Sequence, residues 1–147
     1  MKVRRARAED VAAMAAVAAA SYREAFAPIL GEAAVASRDA EFFERRFVES
    51  WPSMRVAVVG ARIVGFSLVS DRHIDMLFVA PGVTGRGAGS ALLARAEREG
   101  ARTLECFRDN TRARGFYEKH GWRWREEYVR EFAGVERDFV LYARGPD

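Results

Sequence analysis

The chain predicts an α+β fold in which a mixed, mostly antiparallel central sheet of about seven strands is flanked by four helices. Three observations carry this expectation. Short β-rich runs separated by turn residues alternate with segments whose apolar residues recur at helical spacing. Three such runs follow one another with no helix between them, which makes them antiparallel neighbours. One of these runs then leads through a glycine loop into a helix and on to another run, a crossover whose two strands lie parallel. The resulting order is strand, two helices, three strands, glycine loop, helix, strand, helix, two strands.

Residues 3–7 make a short first strand. Glu9 and Asp10 place negative charge in the first turn of a helix whose apolar positions Val11, Met14, Val17 and Ala18 keep helical spacing. The pattern continues through Tyr22 and Phe26, one turn apart, until Pro28 and Gly31 break it. A second helix spans residues 39–51 with Phe42, Phe43, Phe47, Val48 and Trp51 as its apolar stripe, which reads as core packing in preference to a substrate wall. Residues 55–59 and 63–70 flank Gly60-Ala61-Arg62, a hairpin signal, and Asp71-Arg72 turns the chain into the run 73–79. After the glycine loop a helix runs from near Ser90 to about Gly100, and residues 103–107 form a strand. Residues 110–120 are helical with Gly121 as the stop, and residues 122–132 and 135–143 form a closing hairpin around Gly134.

At 147 residues the chain is expected to form a single domain that buries ~70% of its unfolded surface. The basic start followed by apolar residues 11–20 superficially resembles a secretory signal, but Glu9 and Asp10 interrupt it and alanine is weakly apolar. Cys106 is the only cysteine, which excludes an internal disulfide and fits a reducing, cytoplasmic compartment. It reads as a core residue of its strand. The net charge of +3 comes from arginines interleaved with Asp and Glu, a habit of Ala/Arg/Gly-rich bacterial chains rather than a basic face for nucleic acid. No stretch is long and apolar enough for a membrane partner.

Residues 73–93 hold the main functional signal. The apolar run ends at Val79-Ala80-Pro81, and the following loop carries Gly82, Gly85, Gly87 and Gly89 before an Ala/Leu helix begins. Glycines at this spacing remove side chains from a turn, so successive N–H groups and the helix dipole can hold an anion. A Walker A loop is excluded because Ala88 stands where its lysine belongs, and a dinucleotide fingerprint fails because Ser90 or Leu92 takes the place of its third glycine. Period-two alternation puts His73, Asp75, Leu77 and Val79 on one face of their strand.

Two stretches together carry a family resemblance. Leu77-Phe78-Val79-Ala80-Pro81 with the loop Gly87-Ala88-Gly89 resembles motif A of the GNAT superfamily of acyl-CoA-dependent N-acetyltransferases. Asn110-x-x-Ala113-x-x-Phe116-Tyr117-Glu118-Lys119-x-Gly121-Trp122 resembles its motif B. The resemblance covers nearly the whole chain and implies a GNAT-like fold. It departs from the family at Thr84, where Arg or Gln is usual in Arg/Gln-x-x-Gly-x-Gly/Ala.

The resemblance implies acetyl-CoA as co-substrate and an amine as acceptor, with no metal. Thr84, Gly85, Arg86, Gly87, Ala88, Gly89 and Ser90 would then surround the pyrophosphate. Leu77, Phe78 and Val79 would pair with the pantetheine arm as a pseudo-strand, and the N–H of Val79 would hold the oxyanion of a tetrahedral intermediate. Asn110 would hydrogen-bond the arm or cap its helix, and Ala113, Phe116 and Tyr117 would face the cofactor. Tyr117 would protonate the leaving thiolate; the plainer alternative is a buried aromatic beside Phe116. His73 or Asp75 would serve as base, directly or through water, with Asp75 orienting His73 or binding the acceptor's ammonium. His120 reads as a helix C-cap. Tyr22, Phe26, Phe42, Phe43, Trp124 and Tyr128 are candidates to line the acceptor site, and the closing strands offer a homodimer surface. The alternative function is a non-catalytic acyl-CoA-binding or sensory module.

Overall fold

The computed structural model describes residues 1–83 and 86–145. The strands are β1 Lys2–Arg5, β2 Met54–Val59, β3 Arg62–Ser70, β4 His73–Val79, β5 Thr103–Phe107, β6 Arg123–Phe132 and β7 Val135–Ala143. They form one seven-stranded sheet in the order β1-β2-β3-β4-β5-β7-β6. All neighbours are antiparallel except β4 and β5, the two strands joined by the crossover. The mixed, mostly antiparallel sheet expected from the sequence is the one found.

The helices are α1 Val11–Leu30, α2 Glu32–Ala36, α3 Ala40–Ser50, α4 Ala88–Arg98 and α5 Thr111–Lys119. Four are the expected ones. The five-residue α2 is additional, because one turn and a half carries too few apolar positions to show a period. α1 passes through Pro28 and ends at Leu30, before the expected stop at Gly31. Proline removes only one backbone bond in a final turn, and the helix stops at Gly31, whose φ of 90° is the left-handed region glycine enters freely.

α1 and α3 cover one face of the sheet. Met14, Ala15, Ala18, Phe43 and Phe47 pack there on Met54, Val56 and Phe66, all buried. The expected stripe of α3 is narrower than predicted. Val48 is 62% exposed, because it lies about 100° around the helix from Phe47 and turns away from α1. α4 and α5 cover the other face, where Leu93, Ala96, Tyr117 and Trp122 pack on Ile74, Leu104, Val140 and Tyr142. Trp122 also ties α5 to α4, its indole N–H donating to Glu97 at 2.9 Å. Among the described residues no helix is long and apolar enough to cross a membrane.

Two tight turns set the hairpin registers. Asp71 and Arg72 sit at φ 50° and 65°, and Ala133 and Gly134 at 54° and 81°, the paired positive angles that match strand twist. α4 approaches β3 closely at Gly65. A Cβ there would lie 2.9 Å from the Phe78 carbonyl oxygen and 3.1 Å from a Leu92 methyl group. Gly65→Ala is therefore expected to lower stability by about 1–3 kcal/mol in chemical denaturation, whereas an unchanged midpoint would mean that α4 moves aside without cost.

Candidate functional site

β4 and β5 pair at only two positions, His73 with Thr103 and Ile74 with Leu104, and then part. On its other edge β4 stays paired with β3 up to Val79 opposite Gly65. The Ala80 N–H donates to Val64 C=O at 2.8 Å, so Val64/Ala80 and Phe66/Phe78 are the hydrogen-bonded pairs of this antiparallel ladder. Leu77 and Val79, in alternate positions, turn their backbone groups the opposite way, toward the gap beside β5. The Val79 carbonyl is taken by the buried Ser21 hydroxyl, which donates at 2.8 Å. Among the described residues the Val79 N–H and both backbone groups of Leu77 have no partner across the gap and are open to a ligand. Phe78 offers no backbone group to the gap, contrary to its expected pairing with the pantetheine arm, because its own pair with Phe66 uses them.

The alternation expected for β4 also fails. Its register shifts against Leu68 and Val69, leaving Asp75 as an extra, bulged residue. The bulge inverts the facing of everything before it. Ile74 is buried with Leu93 and Tyr117 on the α4/α5 side, where Leu77 also packs, while Met76 and Phe78 pack on the α1/α3 side. His73 therefore does not share a face with Leu77 and Val79. It lies toward α1/α3, its Nδ1 2.8 Å from the Thr103 hydroxyl. Asp75 is exposed and accepts a short hydrogen bond from Ser70.

The parted strands open a cleft of about 950 Å³ that reaches both faces of the sheet. On the α4/α5 side Gly87, Gly89 and Ser90 line it. Gly87 is the N-cap of α4 at φ 90°, which leaves the first-turn N–H groups pointing outward. A Cβ on Gly89 would meet the Phe116 ring at 3.3 Å, so this glycine permits the close approach of α5. Ala88 is buried against Leu92 and does not reach the cleft. Arg86 is exposed outside it. Thr84 and Gly85 lie outside the described residues.

α5 brings Asn110, Ala113, Phe116, Tyr117, Lys119 and His120 to the same side. Asn110 is the N-cap, its Oδ1 accepting from the Ala113 N–H at 3.2 Å. Its side-chain amide hydrogens have no partner among the described residues. Tyr117 is 8% exposed, and burial pushes its phenol well above the ordinary range, with the nearby Cys106 adding to the effect. His120 caps α5 as expected and also bridges to α4. Its Nδ1 donates to Phe116 C=O at 2.8 Å, which leaves Nε2 to accept from the Ser90 hydroxyl at 2.9 Å in the neutral ring.

The α1/α3 side carries polar groups that the sequence reading did not single out. Glu105 on β5 lines the cleft, held by Arg130 Nε at 2.9 Å and by the Tyr128 hydroxyl. Burial raises the Glu105 carboxyl, but the bonds from Arg130 and Tyr128 and the charges of Arg130 and His73 outweigh it and hold it below the usual range. A lone charge in the apolar run Thr103-Leu-Glu-Cys-Phe was the available signal. Tyr22, Phe26 and Phe43 line the cleft as expected, joined by Arg38, Arg46 and Phe132. Phe42 and Tyr128 do not line the cleft; Phe42 stands behind Arg38, and Tyr128 donates its hydroxyl to Glu105. Trp124 is 53% exposed on the outer strand β6, away from the cleft, because the hairpin turns that face to solvent. Cys106 lies in the wall, its thiol pushed up to about 12 by burial.

Comparison with known proteins agrees with this architecture. The peptidyl-lysine N-acetyltransferase YjaB of Salmonella typhimurium is 39% identical over 61 residues, a stretch spanning 41% of this chain and 42% of that protein, less than half of either. The solution structure of apo-form YjaB from Escherichia coli superposes with a TM-score of 0.82 at 26% identity, covering 97% of this chain and 95% of that one. PaiA N-acetyltransferase from Thermoplasma acidophilum, crystallised in complex with coenzyme A, shares the fold with a TM-score of 0.76 at 19% identity over 98% of each chain. A family model described as an acetyltransferase (GNAT) domain matches residues 16–137, most of the length and both sides of the cleft, and the chain belongs to the GNAT acetyltransferase family.

Proposed function

We propose that the chain is an acetyl-CoA-dependent N-acetyltransferase that moves an acetyl group directly from the thioester to an amine. The observation that carries this reading is the parting of β4 and β5. It leaves backbone groups of Leu77 and Val79 unpaired in a cleft that joins a glycine-led helix start on one face to a histidine and a carboxylate on the other. A pyrophosphate fits the start of α4, where outward N–H groups meet the helix dipole, and Lys119 adds charge nearby. The pantetheine arm runs from there along the gap, within reach of the Val79 N–H, the Leu77 backbone and the free amide of Asn110.

The acyl group is at the end of that arm far from the pyrophosphate. Val79 packs beside Gly89 at the α4 start, whereas Leu77, though it also touches the cluster of Ala88 and Leu92, reaches on to that of Ile74 and Tyr117. Six strand residues from His73 amount to roughly 20 Å, so a carbonyl held at Val79 lies beyond an amine held near His73. The N–H of Leu77 therefore takes the oxyanion role expected for Val79, and the Val79 N–H holds the arm.

The acceptor enters from the α1/α3 side. His73, Asp75 or a water between them takes the amine proton, and ionised Glu105 attracts the incoming ammonium. The amine adds to the thioester carbonyl to give a tetrahedral oxyanion, and as that intermediate collapses the C–S bond breaks and Tyr117 passes its proton to the leaving thiolate. The raised phenol pKa keeps Tyr117 protonated throughout the neutral range, the form a donor requires. Cys106 is neutral at the same pH and supplies no thiolate for a covalent acyl intermediate.

Thiol release from acetyl-CoA in the presence of an amine panel tests the reading. Binding of acetyl-CoA without consumption by any amine would instead favour a sensory module. Tyr117→Phe is expected to lower kcat by about 100-fold or more while leaving acetyl-CoA affinity within about twofold by calorimetry; equal turnover removes Tyr117 from the mechanism. Replacing the amide by an ester at position 77 deletes one N–H and is expected to cost kcat about 100-fold, against a mainly KM effect at position 79. The reverse order returns the oxyanion to Val79. Cys106→Ala should retain kcat within about threefold, since the thiolate fraction at pH 8 is on the order of 1 in 10,000; a loss of two orders of magnitude would indicate acyl-cysteine.

A further inference from the structure

The α1/α3 mouth of the cleft holds a cationic group of residues that the transfer reaction does not use. Tyr22 is 6% exposed, lines the cleft, and its hydroxyl has no hydrogen-bond partner among the described residues. An orphaned buried hydroxyl is costly to keep unless a ligand completes it. The charges that act on this hydroxyl are those of Arg38 and Arg46, both on the cleft wall. Among the described residues neither arginine is paired with a carboxylate, whereas two other arginines near this mouth are. Arg130 is bound to Glu105, and Arg112 lies 3.9 Å from Glu24.

Arg38 is also held in a fixed attitude. Its guanidinium carbon lies 4.7 Å from the Phe42 ring centre, 5.3 Å from that of Phe132 and 5.9 Å from that of Tyr22. Rings against the faces of a guanidinium leave its N–H edges free, and a planar fork immobilised in this way is suited to two parallel hydrogen bonds with a carboxylate. Arg46 stands 5.8 Å from the same Phe42 ring, beside it at the rim.

We propose that the acceptor carries a carboxylate as well as its amine. The carboxylate is bound by Arg38 and Arg46 with the Tyr22 hydroxyl as a further donor, while the amine reaches past Phe26 toward His73 and Glu105. This rests on the transferase reading, with the acceptor entering at the α1/α3 mouth. The same carboxylate chemistry is offered by a free amino acid and by an acidic side chain next to a lysine in a peptide.

Matched acceptors separate these sources. Thiol release is followed for lysine against cadaverine, for 4-aminobutyrate against butylamine, and for a blocked Glu-Lys-Glu peptide against Gln-Lys-Gln. The carboxylate-bearing member of at least one pair is expected to have a kcat/KM at least tenfold higher. The pair that shows the advantage identifies a free or a peptide-borne carboxylate. In Arg38→Gln/Arg46→Gln the ratio is expected to fall to within twofold, and in Tyr22→Phe it falls severalfold. Because both members of a pair are measured on the same protein, a partly unfolded variant does not alter the ratio. Equal kcat/KM within every pair, or an advantage that survives in the double variant, overturns the proposal. No thiol release with any amine overturns the transferase reading, and the proposal with it.

Discussion

Two parallel strands that pair for only two residues and then separate impose most of what is distinctive in this molecule. β5 is drawn to β7 by five consecutive pairs, and β4 is drawn to β3 along its whole length, so neither strand is free to close the gap between them. A buried peptide group left unpaired costs about 1–3 kcal/mol, and the fold meets that cost in two ways. Ser21 reaches from α1 to the Val79 carbonyl, and the remaining groups face an open cleft where water or a ligand satisfies them.

The gap also divides the chemistry between two faces. On the α4/α5 side the groups suit a phosphorylated, extended ligand: a helix start led by a left-handed glycine, a free asparagine amide, and a buried phenol. On the α1/α3 side they suit a polar acceptor framed by aromatic rings. Phe26 lies 5.0 Å from Phe107 and 6.1 Å from Phe78, a wall that excludes water around the few polar groups it frames. On the proposed reading, reactants entering from opposite sides would meet only where the strands part.

Charge placement follows the same division. Glu105 is ionised because a guanidinium and a phenol hold it, and that network fixes its orientation across β5, β6 and β7. Arg38 is fixed by rings instead of by a carboxylate, so its hydrogen-bonding capacity stays available. The difference between a satisfied and an unsatisfied charge, only a few residues apart in space, gives the mouth of the cleft its polarity.

Local signals were enough for much of this. Turn residues at Gly60, Asp71 and Gly134, helical spacing in α1, α3 and α4, and the glycine loop let the sequence alone determine the succession of strands, every described helix but α2, and the single parallel pair. Asn110 as a helix cap was legible because capping depends on residues three apart. The bulge at Asp75 was not, because it arises from the register of β4 against β3 and leaves no mark in the alternation of β4 itself. That one extra residue put His73 on the face opposite Leu77 and Val79. Val48 and Trp124 turned to solvent for a comparable reason, since which edge of an apolar stripe is covered depends on the neighbouring element. Only the tertiary structure brought Ser21 to Val79, 58 residues away, and gathered Tyr22, Arg38 and Phe132 at one mouth, because contacts between distant segments are decided by packing and not by any local pattern.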